Sequence, residues 1–401
     1  LVEREEREVM AVIKFAERMA RLGTESAFEV LAKAKAIEAK GRAVIHLEIG
    51  EPDFDTPDNI REAGAKAIWD GYTHYCPAQG IPELRQAIAE VAGRDKKLDI
   101  KPEQVVVTPG AKPIMFFGML ALVDEGDEVI YPNPGFPIYE SVIEFLGAKA
   151  VPIRLEESKE FCFDADELAK LVTPKTKMMI FNSPQNPTGG VLCLDDLKAI
   201  AKLALEHDVW VLTDEVYSKL LYEGEHISIA TLPGMREHSI VLDGYSKTYA
   251  MTGWRLGYGI MPEELAQALT QLQINATSCT CTFSQVAGVE GLTGDQSASE
   301  KMIAEFKKRR DVIVDGLNRI PGITCLRPKG AFYVFPNIQG TGMSSQELAD
   351  LLLNDAGVAV LPGTAFGSFG EGYLRLSYAN SIENINKALE LIEQTLAKVK
   401  K

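Results

Sequence analysis

A chain of 401 residues is longer than one small hydrophobic core serves, so two domains are expected, one of them large. The formal net charge of −15, from 57 acidic against 42 basic side chains, repels phosphate backbones and argues against nucleic acid as a partner. With 46% hydrophobic and 25% charged residues the composition is that of an ordinary globular protein, and no apolar stretch reaches the length of a membrane span.

The chain opens on a charge-rich run, residues 1–9, readable as an upstream extension or a solvated helical lead-in. No signal-peptide pattern follows it. Val105–Thr108 is a buried-type strand that stops at Pro109-Gly110, and a helix is predicted from Lys112 to Val123. Glu128–Tyr131 and Lys177–Phe181 are the next strands, the latter ending in Asn182-Ser-Pro-Gln-Asn-Pro-Thr-Gly189. Asp195–His207 suits a helix opened by acidic residues, followed by the strand Val209–Thr213. Ser239–Leu242 and Leu256–Ile260 add two more. This alternation predicts an α/β fold with a largely parallel central sheet covered by helices on both faces. From about residue 300 the pattern changes: a basic helix around Glu305–Arg310, strand-like Ala331–Phe335 and a final helix from Ser381 indicate a smaller α+β domain. The expected division is an N-terminal segment, 10–57, packing with that small domain, a large domain, 58–298, and the small domain, 299–401.

Six cysteines, at 76, 162, 193, 279, 281 and 325, form no CxxC pair and are expected to be reduced, mostly buried thiols of a cytoplasmic protein. The five histidines show no HExxH or paired-ligand spacing, so no metal centre is expected.

In a sheet of this kind ligands bind beyond the carboxyl ends of the strands, and the polar clusters fall there. Lys247, in Ser246-Lys247-Thr248, follows a buried strand; desolvation would make it an amine nucleophile, whereas most lysines simply hold a solvated charge. Asp214 ends an apolar run, so its carboxylate is expected to be partly buried and to need a cation or donors; a helix N-cap is the alternative. Tyr217, three residues on, shares that face if a helical turn starts there, or is a core tyrosine. The amides of Gly110, Ala111 and Lys112 open a helix and suit an anion, although glycine at such a turn is common. Arg255 adds a forked donor. Arg375 alternates with Leu374 and Leu376 and is either a structural ion-pair member or a carboxylate clamp.

The order of these motifs is more specific than any one of them. Gly50-Glu-Pro-Asp-Phe, Tyr75-Cys-Pro-Ala-Gln-Gly-Ile-Pro-Glu-Leu-Arg85, Gly110-Ala-Lys112, Asn186-Pro-Thr-Gly189, Asp214-Glu-Val-Tyr217, Ser246-Lys247-Thr-Tyr-Ala-Met-Thr-Gly-Trp-Arg255 and Leu374-Arg375-Leu-Ser run across nearly the whole chain. Together they resemble the class I/II aminotransferases of the aspartate aminotransferase superfamily, enzymes of pyridoxal-phosphate (PLP) fold type I. The resemblance implies that Lys247 carries PLP as a Schiff base and shuttles the substrate proton, with Asp214 on the pyridine nitrogen. It places Asn186 and Tyr217 at the phenolic oxygen, and Phe136 stacked on the ring. Ser246, Arg255 and the 110–112 amides would hold the phosphate. Tyr75 would reach the phosphate of the other subunit, which implies a homodimer with shared sites. Arg375, with Asn186 and the backbone of Gly50, would clamp the substrate α-carboxylate.

The implied reaction is ping-pong transfer of an amino group from an L-amino acid of aspartate, alanine or aromatic type to a 2-oxo acid such as 2-oxoglutarate. A C–S β-lyase on the same fold is the nearest rival, since one fold hosts several chemistries. A PLP-binding regulatory sensor is remote, because this acidic chain has only a few dozen residues before the match. Substrate choice stays open. Lys112 either meets a distal substrate carboxylate or is a solvated lysine, Asn275–Phe283 is expected near the pocket at a dimer interface, and Glu25–Phe28 is expected to cover it.

Overall fold

Short β-branched runs set the frame. In the computed structural model, which describes residues 13–399, twelve strands are formed; the run at residues 1–9 lies outside the described residues. They are β1 (Ile45–His46), β2 (Val105–Thr108), β3 (Glu128–Asn133), β4 (Lys149–Arg154), β5 (Thr176–Asn182), β6 (Trp210–Asp214), β7 (Ser239–Gly244), β8 (Gly257–Ile260), β9 (Tyr333–Val334), β10 (Val358–Ala359), β11 (Leu361–Pro362) and β12 (Leu374–Ser377). Seven of them make one sheet in the order β2-β8-β7-β6-β5-β3-β4. All pairings are parallel except those of β8, which runs antiparallel to both β2 and β7. The exception has a local cause. Residues 245–256 hold only a one-turn helix and a short turn, too little for the crossover a parallel return needs.

Both faces of the sheet are covered, so its central strands alternate between two apolar layers instead of between core and water. Met178, Ile180, Leu212, Ile240 and Leu242 pack on one side with the helices Lys112–Leu122 and Glu263–Thr277. Met179, Phe181 and Val211 pack on the other with Leu197, Ile200 and Ala204 of the helix Leu194–His207. Each fully buried aliphatic side chain contributes roughly 1.5–3 kcal/mol. That rigidity fixes where the strand ends point.

A second, three-stranded antiparallel sheet, β11-β12-β9, backs onto the helices Ser297–Leu317 and Ile382–Val399. The predicted basic helix at Glu305–Arg310 is the middle of the first of these. The predicted strand Ala331–Phe335 shrinks to β9, because Ala331 takes a left-handed φ of 58° and donates its N–H to Leu220 O at 2.9 Å. The N-terminal segment joins this end of the molecule: β1 pairs in parallel with β10, Ile45 opposite Val358. One expectation fails outright. Of the six cysteines only Cys325 is buried, while Cys193 and Cys281 are exposed, since both sit at the starts of surface helices. Among the described residues no helix is long and apolar enough to cross a membrane.

Candidate active site

Four strand ends and the C-terminal sheet converge on a cavity of about 470 Å³. From β7 the chain enters the one-turn helix Tyr245–Thr248, which lifts Lys247 into it. The Lys247 ammonium donates to Gly50 O at 2.6 Å. Burial pulls the amine down to about 8; Glu51 opposes this, and the nearby Arg375 and Lys112 charges add to it. An amine so placed is part neutral near neutral pH, as a nucleophile must be.

Asp214, the last residue of β6, is buried, with Tyr139 Oη donating at 2.6 Å and the Val216 amide at 3.3 Å. Burial lifts its carboxyl to about 6; those two donors pull it back, and Asp243 and Glu215 push it further up. Among the described residues no lysine, arginine or histidine pairs with it. A buried carboxylate in that state is stabilised by a cation or by further donors.

Tyr217 lies in the turn after β6, buried, and lines the cavity; its hydroxyl meets that of Tyr333 at 2.8 Å. Asn186 is held by its amide on Asn182 Oδ1 at 2.8 Å, and its Oδ1 accepts from Arg375 Nη1 at 3.3 Å. Arg375 is buried between Tyr333 and Phe366, 4.6 and 4.9 Å from their ring centroids. Its Nη2 donates to Glu48 O, and its Nε has no partner among the described residues. Among the described residues no carboxylate forms a salt bridge with it. Its neighbours Leu374 and Leu376 turn into the core, as their alternation required.

At the end of β2 the turn closes against a guanidinium. Gly110 has a φ of 85°, and any Cβ there would collide with the Arg255 guanidinium that lies across it. Arg255 is itself anchored by Nη1 on Thr252 O at 2.6 Å. With Ser246, Ala111 and the start of the helix Lys112–Leu122 it bounds one end of the cavity. Phe136 forms a wall, edge-on to Tyr139 with centroids 5.5 Å apart.

The structure thus brings Gly50, Ala111, Lys112, Phe136, Asn186, Asp214, Tyr217, Ser246, Lys247, Arg255 and Arg375 together around one space, with Gly110 directly beneath Arg255. Tyr75 is elsewhere, 88% exposed. The segment 275–283 does not line the cavity; Thr280 is buried, donating to Val107 O at 3.1 Å. Glu25, Ser26, Ala27 and Phe28 do line it. Sequence reasoning missed Tyr139 and Tyr333. Tyr139 stands three residues after Phe136 at a helix start, a spacing that offered a signal. Tyr333 offered none, because its role depends on how β9 approaches Tyr217 and Gly50.

The fold is similar to that of the solved aspartate aminotransferase from Thermus thermophilus with maleate: TM-score 0.91 at 38% identity, covering 96% of this chain and 100% of that one. Its class is therefore fold type I of the PLP-dependent transferases. The family model for aminotransferase class I and II matches residues 42–392. Two curated relatives are an aromatic-amino-acid aminotransferase 2 from Thermococcus litoralis and an aspartate aminotransferase from Pyrococcus abyssi. The first is 42% identical over 89% of this chain and 92% of its own length. The second is 43% identical over 91% and 94%. The chain belongs to the class I and II aminotransferases, enzymes of amino-acid metabolism whose family uses PLP.

Proposed function

We propose that this cavity holds pyridoxal 5'-phosphate on Lys247 and transfers the amino group of an L-amino acid to a 2-oxo acid. The carrying observation is Asp214: a buried carboxylate with no cation of its own among the described residues, lining the same cavity as a desolvated lysine. When bound, the cofactor ring supplies an electron sink for the pair left as the substrate Cα–H bond breaks, and a protonated ring nitrogen gives Asp214 its missing partner. Lys247 Nζ takes the Cα proton and returns it to the cofactor side, its amine poised near 8 for both directions. Tyr217 and Asn186 donate to the phenolic oxygen. Phe136 stacks on the ring without hydrogen-bonding. Ser246, Arg255 and the amides of Gly110, Ala111 and Lys112 receive the phosphate.

Arg375, with Asn186 and the backbone of Gly50, receives the α-carboxylate and so orients Cα–H toward Lys247. Replacing Arg375 with Leu fills the slot between Tyr333 and Phe366 while removing the donors. The expected result is a kcat/KM lower by roughly 10²-fold, mostly through a raised KM, for every amino acid tested. An unchanged KM would show that the arginine only packs.

A panel of alanine, aspartate and phenylalanine with 2-oxoglutarate or pyruvate tests the reaction as a whole. Conversion of the cofactor to pyridoxamine phosphate is expected; ammonia and pyruvate released in its place would assign a lyase. A homodimer is part of this reading. Ile68, Trp69, Tyr72 and Tyr75, close in sequence, are all exposed, Trp69 by 90%, apolar surface that a second copy would cover while bringing Tyr75 to its phosphate site. A single-chain mass in solution would remove that part.

A further inference from the structure

At the cavity mouth a second cation, Lys112, stands over the Phe136 ring at 5.2 Å. It is not free. Its ammonium is ion-paired with the carboxylate of Glu25, contributed by the N-terminal segment. Glu25 immediately precedes the helix Ser26–Glu38 but makes no side-chain cap to it, so its carboxylate is committed to Lys112 and not to its own helix. The carboxylate side is the more enclosed of the two, 19% exposed against 52% for the lysine. Phe136 lies beside the pair, and Ala27, Phe28 and Met115 add apolar surface to the same cavity.

This arrangement decides what the mouth offers a substrate side chain. A distal carboxylate arriving at a bare lysine gains a charge-assisted bond. Here it meets a pair whose charges already cancel, and it must either lie beside Glu25 and be repelled or displace it. Displacement exchanges one carboxylate for another and leaves Glu25 to be solvated, with no net gain in ion pairing. An uncharged side chain disturbs no pair and buries apolar surface against Phe136 and Met115. We propose that Glu25 is a specificity-determining residue: as the built-in counter-ion of Lys112 it turns the pocket from dicarboxylate substrates toward amino acids with uncharged, mainly apolar side chains. The proposal rests on the reading above that Arg375 takes the α-carboxylate.

The test is equilibrium binding to the PLP-loaded enzyme of two carboxylates that lack an amine, maleate and 3-phenylpropionate, followed through cofactor absorbance. Neither can be transaminated, so the measurement is independent of turnover. The unsubstituted enzyme should favour 3-phenylpropionate. Glu25→Gln should shift the ratio of affinities about tenfold toward maleate, the scale of one uncovered charge at a partly solvated site. Glu25→Asp, which keeps the charge, should leave the ratio near its original value, and Lys112→Gln added to Glu25→Gln should abolish the shift. A ratio unmoved by Glu25→Gln, or a shift that persists without Lys112, overturns the proposal. If no donor forms pyridoxamine phosphate, the parent reading fails separately.

Discussion

Replacing Lys247 with Ala should lower transamination by at least about 10⁴-fold and leave PLP bound without a covalent link. Two functions vanish together: the amine that holds the cofactor and the base that moves the Cα proton. Binding should survive, because Asp214, Arg255, Ser246 and the turn at Gly110 stay in place. Borohydride reduction followed by denaturation and mass measurement reads the link directly. Cofactor still fixed to the chain of that variant would refute the assignment of Lys247. An added small primary amine, restoring part of the rate, would separate loss of the base from collapse of the site.

Asp214→Asn should move activity and stability in opposite directions. Without a carboxylate beside it, the ring nitrogen loses the charge that keeps it protonated, and turnover should drop about 10³-fold. In the cofactor-free protein the same substitution should stabilise. The folded-state carboxyl titrates at about 6, above its ordinary value of 3.8, so the native state binds the proton more tightly than the unfolded one. Asp214 therefore costs stability at pH values above 6, roughly 2–3 kcal/mol, and the cost fades as pH falls through 6 and is gone near 4. Denaturant melts of both apo proteins at pH 8 and pH 4.5 check this. A variant that is less stable at pH 8, or equally stabilised at both pH values, would mean that Asp214 is satisfied without a cofactor. Bound PLP should erase the difference, since the cation then repays the burial.

Much of this site was legible in the sequence for one geometric reason. Asn182 and Asp214 end buried strands, Lys247 follows β7 by one turn and the 110–112 amides follow β2 by one turn, and the carboxyl ends of the parallel strands of a covered sheet open on the same edge. Arg375 was legible as a polar residue between two core leucines on β12, although nothing in the pattern separated a clamp from a structural pair; among the described residues no carboxylate is salt-bridged to it. What escaped depends on packing between distant segments. β4 carries Pro152 and alternates between exposed and buried, so it lacks the apolar run that marked its neighbours. Tyr139 and Tyr333 are ordinary core tyrosines by composition, and only the approach of their elements to Asp214 and Tyr217 gives them work. Tyr75 is exposed and does not line the cavity of its own chain, so packing within one chain gives it no place there.

Position 50 carries more than its size suggests. Its carbonyl receives the Lys247 ammonium, and its α-carbon lies against the Tyr333 hydroxyl, so that even a methyl group would strike that ring. Tyr333 in turn holds Tyr217. The smallest possible enlargement, alanine, would therefore be felt on both sheets at once, by the tyrosine pair and by the resting place of the amine. Mutational tolerance should therefore be low at a residue that has no side chain of its own.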